Sequence, residues 1–153
     1  MKKSSSERGT IYGVGLGPGS VDLMSVRADK LIKSCNFIAF FRKAGRPGHA
    51  RQIVSEILRE NVKEYVMEYP VTTEIPLSDP RYKKIMTSFY DECCLRIKSV
   101  IESGEDVCVL CEGDPFFMGL SCTFMKGFDL KLLLRLFQQL PECLQHGPQL
   151  GYQ

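Results

Sequence analysis

The chain has 153 residues and a formal net charge of +2, and 44% of its residues are hydrophobic and 25% charged. This composition is ordinary for a globular domain with its own core, and it lacks the basic bias typical of nucleic-acid-binding proteins. No apolar run approaches the roughly 18 residues of a membrane span, and the first strand is preceded by no apolar stretch of the signal-peptide kind. The sequence therefore predicts no nucleic-acid partner and no membrane segment.

Seven cysteines raise the question of disulfides or a metal: Cys35, Cys93, Cys94, Cys108, Cys111, Cys122 and Cys143. An odd count and an adjacent pair, without a secretion signal, favour reduced thiols and a cytoplasmic location. Cys108 and Cys111 form a C-x-x-C motif, but strand residues at that spacing point to opposite faces. We therefore expect buried structural thiols and no metal site.

Strand and helix patterns alternate from residue 10 to residue 111. Short β-rich or wholly apolar runs predict strands at residues 10–15, 37–41, 62–67 and 106–111. Helical spacing of apolar residues predicts helices at 21–35, 52–59 and 81–102, the last capped by Asp79, with Pro80 at its first position and Gly104 at its end. Strands separated by helices indicate an α/β fold, with a mainly parallel sheet and right-handed crossovers.

A glycine-rich turn, GVGLGPGSVDL, follows the first predicted strand. Ligands of open parallel sheets bind beyond the carboxyl ends of the strands, and glycines let the backbone come close to them. The dinucleotide fingerprint fails here because Pro18 or Ser20 stands where its third glycine belongs, and no G-K-[ST] follows to make a phosphate-binding P-loop. A tight strand-to-helix connection without a ligand is the alternative.

A second turn, CEGDPFF, follows the fourth predicted strand. Gly113 offers a surface without a side chain, Glu112 and Asp114 offer acceptors, and two phenylalanines offer an apolar wall. The two carboxylates are candidates for an acid/base pair, but capping of a following helix is the favoured interpretation.

In this order, the two turns resemble those of the tetrapyrrole methylase family of S-adenosylmethionine-dependent enzymes. That family has a G-x-G-x-G-P-G-[DS] turn after its first strand and a G-D-P turn after its fourth. The strings AFFRKAGRPGHAR and MEYPVTTEIPLSDPRY extend the resemblance from Gly9 to Phe117. The second string is typical of the branch that methylates C20 of a corrin precursor in cobalamin synthesis.

The resemblance implies the N-terminal α/β domain of a two-domain fold at residues 9–117, after a disordered segment at 1–8. It implies S-adenosylmethionine as cofactor, a tetrapyrrole substrate in metal-free or cobalt-loaded form, and a homodimer for the full-length family. The positions that match cofactor contacts are Gly15, Gly17, Pro18, Glu112, Gly113, Asp114 and Phe117.

A cationic loop follows the second predicted strand. Arg42, Lys43, Arg46 and Arg51 are candidates to pair with the carboxylates of a tetrapyrrole, with solvated surface charge as the alternative. Some relatives carry an acidic residue, implicated in proton transfer, at the position of Phe41. We therefore assign no catalytic acid or base.

Residues 118–153 resemble nothing in the family. Codons chosen for this segment and shifted by one nucleotide give YGSFMYLYERF, EVVP, and GMSS followed by WTAT, which are strings that the family has at those distances. Our hypothesis is a lost nucleotide in the codons of Phe116 and Phe117, with out-of-frame translation after them. We then expect a chain that lacks the second domain and does not methylate, or a pseudogene remnant.

Overall fold

A computed structural model describes residues 8–71, 74–76 and 78–111. The strands are β1 (Ile11–Gly15), β2 (Phe37–Lys43), β3 (Lys63–Tyr69) and β4 (Val107–Cys111). The helices are α1 (Val26–Ser34), α2 (His49–Ile53) and α3 (Pro80–Glu102), and a short 3-10 helix spans Val21–Leu23. Within the described ranges, no helix is long and apolar enough to cross a membrane.

The four strands form one parallel sheet in the order β1-β4-β2-β3. The first and fourth strands are therefore neighbours, although most of the described chain separates them in sequence. The expected α/β fold with a parallel sheet flanked by helices is confirmed.

The sheet is covered on both faces. Alternate side chains of β2 point to opposite sides, so Ile38 and Phe40 pack with α1 and α2, whereas Phe37, Ala39 and Phe41 pack with α3. All of β4 is buried. This two-sided burial explains why the first five residues of β2 and all of β4 are apolar, without a polar alternation.

The third helix follows the sequence prediction closely. The Oδ1 atom of Asp79 accepts a hydrogen bond from the backbone N–H of Arg81 at 2.9 Å, and Pro80 begins the helix. Gly104, with a φ of 90°, lies just beyond its end. The buried face includes Met86, Tyr90, Cys93, Ile97, Val100 and Ile101, as expected from the apolar spacing.

Two helix predictions were wrong in their bounds. The helix expected at 21–35 is interrupted, because the side chain of Ser25 accepts a hydrogen bond from the N–H of Ala28 and starts α1 at Val26. The helix expected at 52–59 begins at His49 and ends at Ile53. The apolar residues after it still reach the core, but through turns.

The C-x-x-C cysteines lie as predicted on opposite faces of β4. Cys108 belongs to the cluster under α1 and α2, and Cys111 to the cluster under α3. The sheet lies between the two thiols, so they cannot bind one metal ion together. In the part of the chain that the structure describes, five cysteines are buried and form no disulfide: Cys35, Cys93, Cys94, Cys108 and Cys111.

Candidate functional site

The two turns singled out in the sequence leave the sheet side by side. Gly15, the last residue of β1, is in register with Cys111, the last residue of β4. One step further, the N–H of Leu16 donates a hydrogen bond to the carbonyl of Cys111 at 3.0 Å. The glycine-rich turn thus begins beside the residue from which the acidic turn departs.

Of the predicted cofactor residues, the structure describes three. Gly15 and Gly17 are half-buried and Pro18 is exposed at the carboxyl edge of the sheet. The other four lie outside the described residues: Glu112, Gly113, Asp114 and Phe117.

The conformation of the glycine-rich turn is set by its glycines and by its own hydrogen bonds. Gly17 has a φ of 71°, and a Cβ atom there would lie 2.9 Å from the carbonyl oxygen of Leu23. The Ser20 hydroxyl donates to Asp22, and this bond, followed by a backbone N–H bond, lowers the pKa of the Asp22 carboxyl. Gly19 has a φ of 124°, and a Cβ atom there would meet only the Cε1 atom of His49, at an ordinary contact distance of 3.9 Å. Packing therefore explains the need for glycine at 17, whereas at 19 only the backbone angle does.

The loops after β2 and β3 leave the sheet in opposite directions. The chain after β2 passes to the face covered by α1 and α2, and the chain after β3 passes to the face covered by α3. In α/β proteins such a reversal commonly marks a ligand-binding crevice at the carboxyl ends of the two strands. Arg42 and Lys43, at the end of β2, lie at the corresponding edge of this sheet.

The cationic loop divides into paired and unpaired side chains. Arg42 forms an ion pair with Glu68 of β3 at 2.8 Å, and Arg51 forms one with Glu64 at 2.9 Å. Within the described residues, Lys43 and Arg46 have no side-chain hydrogen bond or ion pair. Those two side chains are the ones available to an anionic ligand.

Sequence reasoning missed two polar residues at this edge, Glu68 and His49. In the sequence, Glu68 is an ordinary polar residue of a predicted strand. Only the register of β2 with β3 shows that it faces Arg42. His49 lies inside the quoted string GRPGHAR, and its Cε1 atom is 3.9 Å from the position of a Cβ on Gly19. The loop after β2 therefore reaches the turn after β1, across the end of the intervening β4.

A cavity of about 580 Å³ lies between β3 and the first half of α3, and its lining includes Glu68, the partner of Arg42. Its walls include Tyr65, Met67, Phe89 and Cys93, and it lies at the β3 edge of the sheet, the edge opposite to β1. Burial raises the pKa of the Cys93 thiol to about 12, so this thiol is protonated at neutral pH and is a poor nucleophile. The cavity has none of the glycine-rich backbone found at the end of β1.

A glycine-rich turn at the carboxyl end of a parallel sheet is typical of α/β domains that bind ligands. Comparison of the sequence with protein families shows to which family this domain belongs. Residues 10–129 match the family Tetrapyrrole (Corrin/Porphyrin) Methylases, which is most of the chain. The chain belongs to this family.

Two curated relatives place the chain within the family more narrowly. It is 40% identical over 111 residues to a Precorrin-2 C(20)-methyltransferase of Sinorhizobium sp, a match that covers 72% of this chain and 45% of that protein. It is 37% identical over 112 residues to the Cobalamin biosynthesis protein CobIJ of Mycobacterium tuberculosis (strain ATCC 25618 / H37Rv), covering 73% of this chain and 22% of that protein. The chain thus spans less than half the length of the curated relatives that it matches.

Among solved structures, the chain is similar to a uroporphyrin-III-C-methyltransferase from Thermus thermophilus. The superposition has a TM-score of 0.40 and 19% sequence identity, and it covers 84% of this chain and 44% of the other. This likeness is too slight to carry an argument about function.

Proposed function

We propose that the chain forms the N-terminal, cofactor-binding part of an S-adenosylmethionine-dependent methyltransferase that methylates precorrin-2 at C20 in cobalamin biosynthesis, in the cytoplasm. The observation that carries the proposal is that β1 and β4 end side by side, where the N–H of Leu16 donates to the carbonyl of Cys111 at 3.0 Å, so that both family turns follow strands at one place on the sheet edge. The similarity to a Precorrin-2 C(20)-methyltransferase supports the choice of substrate.

In this proposal the two turns line one wall of the cofactor site. Gly15, Gly17 and Pro18 let the cofactor approach the backbone, which is half-buried at Gly17. The acidic turn contributes acceptors for polar groups of the cofactor and an apolar wall for its adenine, through Glu112, Gly113, Asp114 and Phe117. Binding sites for small molecules commonly combine apolar walls with a few placed polar groups.

The bound cofactor supplies an activated methyl group on a sulfonium, and the protein's task is to hold and orient it. Attack by an electron-rich ring carbon needs alignment more than proton transfer, and alignment contributes on the order of several kcal/mol to such reactions. Glycine-containing turns that follow two paired strands suit that task, because the sheet holds the ends of β1 and β4 in register at Gly15 and Cys111.

The substrate's carboxylates are assigned to cations at the crevice beyond β2 and β3. Lys43 and Arg46 are available for pairing, and Arg42 is held by Glu68 at 2.8 Å. We therefore expect Lys43 and Arg46 to contribute more to substrate binding than Arg42 does. A homodimer is proposed from the family alone.

Two measurements test the function. Titration of S-adenosylmethionine into the purified chain, followed by calorimetry, should give saturable heat with one site per chain; absence of heat would contradict the cofactor site. The 153-residue chain is itself proposed not to methylate, so methyl transfer should be assayed with a chain whose reading frame is restored after Phe117. The assay uses methyl-labelled cofactor and both metal-free precorrin-2 and its cobalt-loaded counterpart, cobalt-factor II. Label at C20 of the metal-free ring supports the proposal, and label only on the cobalt-loaded ring would replace precorrin-2 as the substrate.

For residues 118–153 we propose out-of-frame translation. The support is the set of family strings recovered from shifted codons of this segment. The family match runs to residue 129, and so the match does not itself mark a boundary at Phe117. Resequencing the gene tests this proposal. We expect the next reading frame after Phe117 to continue into YGSFMYL and the later strings, and a frame without them would contradict the proposal.

A further inference from the structure

The start of α2 is fixed tightly against the end of β2. Gly48 is buried, and a Cβ atom there would lie 2.9 Å from the carbonyl oxygen of Phe41 and 3.0 Å from the ring of Phe40. The carbonyl of Gly48 accepts a hydrogen bond from the N–H of Gln52 at 3.1 Å, and Ala50 is buried in the core. The backbone at His49 therefore has little freedom to move away from the sheet.

His49 is exposed and is directed at the glycine-rich turn. Its Cε1 atom lies 3.9 Å from the Cβ position of Gly19, which is the nearest atom to that position. Since Gly19 carries no side chain, the face of the turn at this point consists of backbone, with the imidazole beside it. A ligand lying on the turn at Gly19 would touch His49.

We infer that His49 is a further binding residue of the cofactor site and hydrogen-bonds a polar group of S-adenosylmethionine bound against Gly19. An imidazole offers both a donor and an acceptor, and it stands next to a backbone surface that has no side chain of its own for this purpose. The inference rests on the proposed function, because it takes the ligand of the turn to be that cofactor.

The test is calorimetric titration of S-adenosylmethionine into the full chain and three variants. His49→Ala should weaken binding by about five- to tenfold, the usual size for one lost hydrogen bond. His49→Gln, which keeps a donor and an acceptor, should stay within about twofold of the unsubstituted chain. Gln52→Ala, an exposed change on the same short helix, is the matched control and should bind normally.

Melting curves without ligand complete the test. All variants should melt at the temperature of the unsubstituted chain, since His49 is exposed. Normal binding by His49→Ala, or a lowered melting temperature that accounts for its weaker binding, would overturn the inference while leaving the cofactor site intact. Absence of binding by the unsubstituted chain would overturn the proposed function, and this inference with it.

Discussion

The two ends of the parallel sheet are built differently. At the amino end, loops are joined closely to one another: the N–H of Thr10 donates to Asp106 at 2.7 Å, and Arg59 donates to the carbonyl of Cys35 at 2.9 Å. At the carboxyl end, positive-φ glycines and exposed cations follow the strands, and Gly17 and Gly19 are examples. One end is closed by hydrogen bonds between loops, and the other leaves backbone and charged side chains exposed.

This contrast supports the proposed place of the cofactor site independently of any relative. Hydrogen bonds between loops close the amino end, so a ligand there would have to displace them. Small residues and unpaired charge at the carboxyl end leave room for one. Substitutions at the two ends should therefore have different signatures: loss of stability without loss of a binding contact at the amino end, and loss of binding, with or without loss of stability, at the carboxyl end.

The largest expected effect is at the amino end, at Gly9. A Cβ there would lie 1.8 Å from the carbonyl oxygen of Glu105, and Gly9 is tied to Ile101 by a hydrogen bond of 2.8 Å. Gly9→Ala should lower the free energy of unfolding by about 3 kcal/mol, because backbone must move to admit the methyl group. Urea unfolding measures this. A loss smaller than that of Gly45→Ala, where the added methyl meets nothing, would contradict the packing described.

At the carboxyl end, Gly17→Ala should affect both stability and binding. Its φ of 71° and the contact at 2.9 Å with Leu23 predict a loss of about 2 kcal/mol in the free energy of unfolding. Gly45 has nearly the same φ, 73°, but open space, so Gly45→Ala controls for backbone strain. Calorimetry should show weaker S-adenosylmethionine binding for Gly17→Ala than for Gly45→Ala, and equal affinities would contradict a role of this turn in binding.

Asp79 adds a stabilising contact where α3 begins, after β3. Hydrogen bonds from the Arg81 side chain and then from its backbone N–H lower the pKa of Asp79 below 3.8. A lowered folded-state pKa contributes stability that is complete above the unfolded-state pKa and is lost as the pH falls through the folded value. Asp79→Ala should lower the melting temperature at pH 7. The difference in melting temperature between Asp79→Ala and the unsubstituted chain should shrink as the pH falls below about 3.8. A difference in melting temperature that does not depend on pH would contradict a stabilising role of the ionised Asp79 carboxylate.

The smallest expected effect is that of Arg42→Ala. The ion pair with Glu68 is solvated, with more than a third of each side chain exposed, so its loss should change the free energy of unfolding by less than about 1 kcal/mol. Glu68→Ala should also change the free energy of unfolding by less than about 1 kcal/mol. The change in the double variant should be close to the sum of the two single changes. A coupling energy well above 1 kcal/mol in this double-mutant cycle would show that the pair is structural.

Much of the fold was predictable because its determinants are local. Asp79, Pro80 and Gly104 mark the ends of α3 through capping and turn geometry that depend on neighbours in sequence. The apolar run at 37–41 indicated a strand buried on both faces, as found, and the strand predicted at 106–111 is found at Val107–Cys111. The glycine-rich turn was recognisable by its spacing.

What the sequence did not show depends on contacts between distant segments. The start of α2 is set by the packing of Gly48 against Phe41, which no helical periodicity reveals. The pairing of Arg42 with Glu68 follows from the register of β2 with β3. The approach of His49 to Gly19 crosses the end of β4, so it requires the strand order.

The central claim is that the carboxyl end of the sheet binds the cofactor and the amino end does not. Hydrogen exchange of the chain with and without S-adenosylmethionine, read by mass spectrometry of peptides, tests it directly. We predict slower exchange on ligand addition in residues 15–20 and around His49, and unchanged exchange in residues 35–36, 59–63 and 103–106. Protection confined to the amino-end peptides, or no protection at either end, would contradict the account.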